Sequence, residues 1–158
     1  MPPERRRKQA PDTHKIVPID HQKGLTWHGP EYPVLTPGIY TGVAAKFQGP
    51  EWVRSFRRWS LRLEFALMDE AVPVSAFFNF GNVPEGPRVG RQSRYYKAWT
   101  LANGEHPTKG QKMTPAVFLE GQIFEVEVAH CSRDNEGKSK QSAEVYSRIV
   151  RIVSVTRP

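Results

Sequence analysis

The sequence predicts a mostly β protein: a five-stranded barrel with one helix between its third and fourth strands, preceded by an irregular arm over residues 1–35. Several stretches after residue 36 alternate apolar and polar side chains with the period of two typical of half-buried strands. One stretch between the third and fourth strands has helical spacing instead. The first 35 residues contain six prolines and no apolar periodicity, which predicts an arm without regular structure.

Size and charge narrow the classes of function. The length of 158 residues fits one globular domain, which we assign to residues 36–158. The formal net charge of +7 favours polyanionic partners. The arm holds six lysines and arginines against four acids, and the rest of the chain 17 against 12, so the domain is basic without the arm. The basic run at residues 5–8 is either a solvated leader or part of a binding arm.

Cysteine usage and hydropathy indicate the compartment. A single cysteine, Cys131, precludes an intramolecular disulfide, and no apolar run approaches the ~20 residues that cross a bilayer. The basic start lacks the apolar stretch of a secretory signal. We therefore expect a cytoplasmic protein without a membrane partner.

The first predicted strand begins near Thr36. Its sequence, PGIYTGVAAKFQGP, opens with a Pro-Gly pair and closes with the pair Gly49-Pro50. Gly42 inside this stretch predicts a bulge or bend.

The second and third strands form a predicted hairpin over residues 55–81 with a short acidic turn. Its first half alternates polar side chains with the inward residues Trp59, Leu61, Leu63, Phe65 and Leu67. Its second half places five more side chains inward: Val72, Val74, Ala76, Phe78 and Phe80.

Two aromatic rings fall on the outer face of this hairpin. Phe77 is left over between inward positions, and extending the first half's parity backward places Phe56 beside Arg58 and Arg62. Exposed rings among cations are typical of surfaces that stack bases over a groove that follows phosphates. The alternative is a bulge near Arg57, which would return Phe56 to the core.

A helix is predicted over residues 91–103, capped by Ser93 and ended by Gly104 in the left-handed conformation. Tyr95, Trp99 and Ala102 share its apolar face, with Ala98 and Leu101 beside them. The fourth strand has Phe124, Val126 and Val128 inward and Glu125 and Glu127 outward. The last strand, over residues 143–156, is predicted to place Val145, Val153 and Val155 inward.

Three strands, a helix and two strands is the element order of the OB-fold, whose second and third strands and flanking loops bind oligonucleotides. A different five-stranded barrel or an α+β sandwich would give the same order. The stretches GRQSRYYKAWTLANG and GQIFEVEV, together with the aromatic and basic hairpin, resemble the OB-fold single-stranded DNA-binding proteins of phages and mobile genetic elements. The resemblance extends over about residues 36–155 and implies an OB-like domain that binds single-stranded DNA.

The candidate binding residues are three basic groups and three rings. In an OB-like barrel the basic group on the hairpin is the best placed to bind an oligonucleotide. The basic group that leads into the helix has a second explanation, because it also fits the solvent-exposed face of an amphipathic helix. The full set is Arg54, Phe56, Arg57, Arg58, Arg62 and Phe77 on the hairpin, Arg88, Arg91, Arg94 and Lys97 around the helix start, Lys109 and Lys112 in the connector, and Tyr146 on the outward parity of the last strand.

The expected function is binding of single-stranded DNA with little sequence preference, because arginines neutralise phosphates and rings stack bases. The same contacts serve RNA, so an RNA-binding domain stays open as an alternative. An interaction or structural subunit is another, because aromatic residues and arginine are also enriched at protein interfaces. The pattern is compatible with a homo-oligomer.

Catalytic and metal-binding patterns do not stand out in the sequence. His14, His21 and His28 are spaced seven apart in the arm, and Cys131 beside His130 lacks the second ligand pair of a zinc site. The chain has no phosphate-binding loop motif. We therefore expect no enzymatic activity, no metal and no cofactor, with an unrecognised nuclease as the remaining alternative.

Overall fold

The computed structural model describes residues 34–131 and 146–157. Within them, the elements follow the predicted order, with an added 3₁₀ helix that has no counterpart in the sequence prediction. The elements are β1 Gly38–Val53, β2 Arg58–Leu67, β3 Val74–Asn79, α1 Arg94–Asn103, the 3₁₀ helix Pro115–Leu119, β4 Ile123–Cys131 and β5 Tyr146–Thr156. Most of the predicted arm, and the predicted inward residue Val145, lie outside the described residues.

The five strands pair into a sheet that closes in a ring. Its order is β1-β2-β3-β5-β4, with β4 pairing back onto β1. All junctions are antiparallel except that between β3 and β5, which run parallel and share one ladder pair, Ala76 with Ile149. The five strands in a closed arrangement, with a helix between the third and fourth, are therefore confirmed.

The period of two along the hairpin is confirmed. All the inward side chains predicted between residues 61 and 80 are buried except Val72. The prediction for Val72 is wrong because β3 begins only at Val74, and the residues between the strands form a turn. Trp59 is half-buried at the start of β2, where its indole Nε1 donates a hydrogen bond to the Val83 carbonyl at 2.8 Å.

The first strand departs from the prediction at two points. It does not close at the Gly49-Pro50 pair but continues to Val53. Gly42 is not a bulge, because it pairs regularly with Leu67 of β2 and Phe124 of β4. The register shifts instead lie later, between residues 44 and 46 and between residues 48 and 51. A bulge bends the strand and increases its twist, which helps a long strand pair with two neighbours of a closed sheet.

The caps of α1 are as predicted. The Ser93 hydroxyl accepts a hydrogen bond from the Tyr96 amide at 3.1 Å, and Gly104 ends the helix with φ 82°. One detail was wrong: the helix begins at Arg94 rather than residue 91, because the cap lies at residue 93. Leu101, beside the predicted apolar face, is exposed. No helix in the described part of the chain is long and apolar enough to span a bilayer.

Two buried rings attach α1 to the rest of the molecule. Tyr95 packs edge-on against Phe78 and Phe80, with ring centroids 5.4 and 4.8 Å away. Its hydroxyl donates to the Met113 carbonyl at 2.8 Å, and the Trp99 indole donates to a neighbouring carbonyl of the same connector. The helix therefore fastens the connector onto the core that the hairpin fills.

The last strand has inward residues three apart instead of two. Ile149 and Ile152 are buried and Val155 is half-buried, whereas Val153, predicted inward, is exposed. Val150 and Val153 have no partner residue on β4 in the pairing of the two strands. Each is therefore the extra residue of a β-bulge in β5. Two bulges therefore explain why a strict period of two failed for this strand.

Substitution of Gly42 tests how closely β1 packs against β2 at this position. A Cβ built at Gly42 would lie 2.6 Å from the Ala66 carbonyl oxygen and 2.8 Å from a Leu67 methyl. We expect Gly42→Ala to lower the free energy of unfolding by roughly 1–3 kcal/mol, because a backbone oxygen cannot move aside cheaply. Gly38→Ala is the control, because a methyl group added there has no atom within 4 Å. Its free energy of unfolding, measured by chemical denaturation, should lie within about 0.5 kcal/mol of that of the unsubstituted protein. Equal effects of the two substitutions would contradict the register of β1 with β2.

Tyr95 provides a test of the buried helix contact. Burial raises the pKa of the Tyr95 hydroxyl above its ordinary value of 10. Below pH 10 both folded and unfolded states keep the proton, and above it the unfolded state ionises first, so the stability that Tyr95 contributes is lost as pH rises. We expect Tyr95→Phe to cost about 1 kcal/mol at neutral pH through the lost hydrogen bond. Denaturant titrations above pH 10 should find this difference shrinking; a constant difference would contradict a buried hydroxyl.

Candidate nucleic-acid interface

The outer face of β1, β2 and β3 carries two polar rows that cross all three strands. In one row Gln48 lies opposite Arg62, which lies opposite Phe77. In the next row Glu51 is opposite Ser60, which in turn is opposite Asn79. Neighbouring strands are about 4.8 Å apart, and rows two residues apart along a strand are separated by about 7 Å. The rows therefore form a continuous surface rather than isolated side chains.

This surface is the floor of an open groove of about 700 Å³. The β1–β2 turn closes one side of the groove, and the start of α1 and the paired ends of β4 and β5 contribute to its other walls. Its described lining comprises Gln48, Glu51, Val53, Phe56, Arg58, Ser60, Arg62, Phe77, Asn79, Arg94, Cys131, Tyr146 and Arg148. The lining thus includes four arginines and, among the described residues, a single acid.

The two arginines of β2 are held in different ways. Arg62 donates from Nε to the Ser75 hydroxyl at 2.9 Å, and its Nη2 lies 3.5 Å from a Glu64 carboxylate oxygen. Arg58 lies over the ring of Phe56, with 4.9 Å between Cζ and the ring centroid. The Nε atom of Arg58 is buried without a hydrogen-bond partner among the described residues.

Arg94 and Arg148 form the opposite, most strongly basic part of the groove. Arg94 donates from Nη1 to the Phe77 carbonyl at 3.3 Å and from Nη2 to the Ile149 carbonyl at 3.4 Å. Burial lowers the pKa of the Arg94 guanidinium below its ordinary value, and the charge of Arg148 lowers it further. A guanidinium stays protonated at neutral pH even so. The two cations therefore face the groove together at a Coulombic cost that a bound anion would relieve.

Three aromatic rings lie among these cations. Phe56 and Phe77 are exposed, with 49% and 37% of their surfaces accessible, and Tyr146 is half-buried at the start of β5. Large rings are normally buried for their apolar surface. The position of Phe56 in the β1–β2 turn excludes the alternative in which a bulge returns it to the core.

The structure brings together only part of the residue set predicted from the sequence. Phe56, Arg58, Arg62, Phe77, Arg94 and Tyr146 line one groove. Arg54 and Arg57 are exposed in the β1–β2 turn and do not line it. The remaining residues lie elsewhere: Arg88 and Arg91 before α1, Lys97 on α1, and Lys109 and Lys112 in the connector after it.

Sequence reasoning missed several residues of the groove. Arg148 shares the outward parity of Tyr146, so that parity was sufficient to find it. Asn79 shares the outward parity of Phe77 on the third strand, whereas Gln48 is placed opposite Arg62 by the register of the strands alone. Polar side chains of this kind carry no signal of their own in a single sequence.

The described residues offer no alternative centre of metal chemistry. Within residues 34–131 and 146–157, no group of three or more His, Cys, Asp or Glu side chains could hold a metal ion. His130 instead contacts the backbone, where its Nε2 lies 2.6 Å from the Leu35 carbonyl oxygen. His14, His21 and His28 lie outside the described residues.

Comparisons with known proteins add no relationship to this picture. The chain matches no family model, no curated protein and no solved structure at a significant level. The candidate site therefore has to be interpreted from its own geometry and charge.

Proposed function

We propose that the protein is a non-enzymatic OB-fold module that binds single-stranded DNA with little sequence preference. Two features support the OB-fold: the ring order β1-β2-β3-β5-β4, and the single α-helix between β3 and β4. In that fold the face of the second and third strands, with the flanking loops, is the surface that binds oligonucleotides. The groove described above lies on the corresponding face of β2 and β3.

The main observation behind the proposal is that exposed aromatic rings and arginines line the same groove, which contains a single acid among its described residues. Phe77 lies directly opposite Arg62, and Phe56 is stacked with Arg58. A ring offers a stacking platform to an unpaired base, and the neighbouring guanidinium can bind the phosphate that follows it. Bases in a duplex are already stacked on each other, so this pairing of groups favours a single strand.

The same groups account for the low sequence preference. Every base has a π-face, and phosphate contacts carry no base identity, so rings and arginines bind most sequences alike. Ser60 and Asn79 are the polar groups next to the rings that could contact base edges. Their hydrogen bonds would add modest preferences to a binding energy that charge and stacking dominate.

Phe77 and Phe78 provide the sharpest test, because they are neighbours on opposite faces of β3. We expect Phe77→Ala to weaken oligonucleotide binding by about 1–3 kcal/mol and to change the free energy of unfolding by less than about 1 kcal/mol. Phe78→Ala should lower the free energy of unfolding by roughly 3–5 kcal/mol, because Phe78 is 4% exposed and packs on Tyr95. Fluorescence anisotropy and chemical denaturation measure the two effects. A reversal of the pair would place β3 one residue out of register.

The arginines of the hairpin provide a test with a matched control. We expect Arg58→Ala with Arg62→Ala to weaken binding at least about tenfold and to flatten the slope of log affinity against log salt by about 1.4. The control is Arg54→Ala with Arg57→Ala, which removes the same charge from the adjacent β1–β2 turn, outside the groove. It should change the slope far less.

Labelled oligothymidine, titrated at several salt concentrations, provides the measurement for these variants. Equal loss in both double variants would mean that net charge, rather than the groove, determines binding. Unchanged binding in a folded Arg58→Ala, Arg62→Ala protein would refute the groove as the site. A clear preference for oligouridine over oligothymidine would reassign the ligand to RNA.

A further inference from the structure

A second depression, apart from the groove, is lined by Phe80 just after β3 and by residues from both sides of α1. It has a volume of about 560 Å³ and is lined by Pro50, Phe80, Pro87, Val89, Tyr95, Gln111, Lys112, Met113, Thr114 and Pro115. Most of these side chains are apolar, and Val89 and Met113 are partly exposed where they pack on the core. An apolar concavity with a few polar groups is the usual form of a ligand site.

The walls of this depression are tied to the core. The segment before α1 is fixed where the Arg88 amide donates to the Phe80 carbonyl at 3.0 Å. The connector after α1 is fixed where the Tyr95 hydroxyl donates to the Met113 carbonyl at 2.8 Å. A site whose walls are already positioned pays little ordering entropy when a ligand binds.

The two segments that form these walls carry a surplus of positive charge. Residues 85–91 contain Arg88 and Arg91 against Glu85, and residues 109–115 contain Lys109 and Lys112 with no acid. None of these four cations forms an ion pair with a described residue. All four belong to the predicted binding set, yet none lines the groove. Lys112 lines the depression itself, and the other three cations belong to the two segments that supply its walls.

We propose that this depression is a docking site for an acidic segment of a partner protein that inserts a bulky apolar side chain. The apolar lining accepts that side chain, and Lys112, together with the net positive charge of the two wall segments, attracts the flanking carboxylates. The expected mode of binding is therefore insertion of an apolar side chain, with charge pairing at its flanks.

The docking site and the groove can be occupied together. Pro50 lines the depression and Glu51 lines the groove, although the register shift of β1 between residues 48 and 51 breaks strict alternation there. Phe80, immediately after β3, is buried and lines the depression, whereas Asn79 is exposed and lines the groove. Successive residues of a strand point to opposite faces, so the sheet itself separates the two ligands. The inference therefore does not depend on the proposed function of the groove.

A labelled synthetic peptide of aspartates flanking a central Phe-Leu pair tests the proposal on the full chain. We expect it to bind, and we expect Lys112→Glu to weaken its affinity by about tenfold or more through charge reversal at the rim. The matched control is Lys97→Glu, an identical change at an exposed lysine of α1 outside the depression, which should have little effect. A peptide with a central Ser-Ser pair should bind at least about tenfold more weakly, because it lacks the inserted side chain.

Saturating oligothymidine and the Arg58→Ala, Arg62→Ala variant separate the two sites. Peptide binding that persists in both experiments supports a distinct docking site. Displacement by oligothymidine, or loss in the arginine variant, would show that the groove binds any polyanion and would overturn the proposal. It would also be overturned by equal affinity for the Phe-Leu and Ser-Ser peptides, by equal effects of Lys112→Glu and Lys97→Glu, or by the absence of binding.

Discussion

The closed sheet depends on its narrowest junction, where β3 and β5 share the single ladder pair Ala76 with Ile149. Buried backbone groups need partners, and a short parallel junction supplies few of them. Arg94 provides two donors there, to the carbonyls of Phe77 on β3 and Ile149 on β5, while its Cζ lies 5.5 Å from the ring centroid of Phe78. The same guanidinium lines the groove. The side chain that completes the ring of strands thus also places charge in the candidate site.

Register is the second constraint, because it assigns each ring of the hairpin either to the core or to the groove. The edge-on contacts of Phe78 and Phe80 with Tyr95 fix the inner face of β3 against α1. With those rings inside, Phe77 has to point outward and lie opposite Arg62. A slip of one residue would bury Phe77 and expose its neighbours. The exposure of a large ring at this position therefore follows from the best-packed part of the core.

Local patterns predicted much of this arrangement, and long-range pairing determined the rest. The alternation along the hairpin and the caps Ser93 and Gly104 depend on neighbouring residues, so the sequence was sufficient to predict them. The inward residues of β5 were missed because bulges at Val150 and Val153 depend on how β5 pairs with β4. The meeting of Arg94 with Arg148 likewise depends on which strands close the ring. A single sequence therefore gave candidate residues for the site without showing which of them share one surface.

The division of the basic residues between two surfaces has a physical consequence for partner choice. At physiological ionic strength charge is screened over about 8 Å, so positive charge attracts a polyanion mainly close to the surface and does not by itself distinguish the two regions. Discrimination has to arise at contact. The groove offers flat exposed rings beside arginines, which suit stacked bases, whereas the depression offers prolines and a recessed apolar floor, which suit an inserted side chain. Positive charge at both surfaces is thus compatible with different partners, because the apolar groups beside the cations determine what fits.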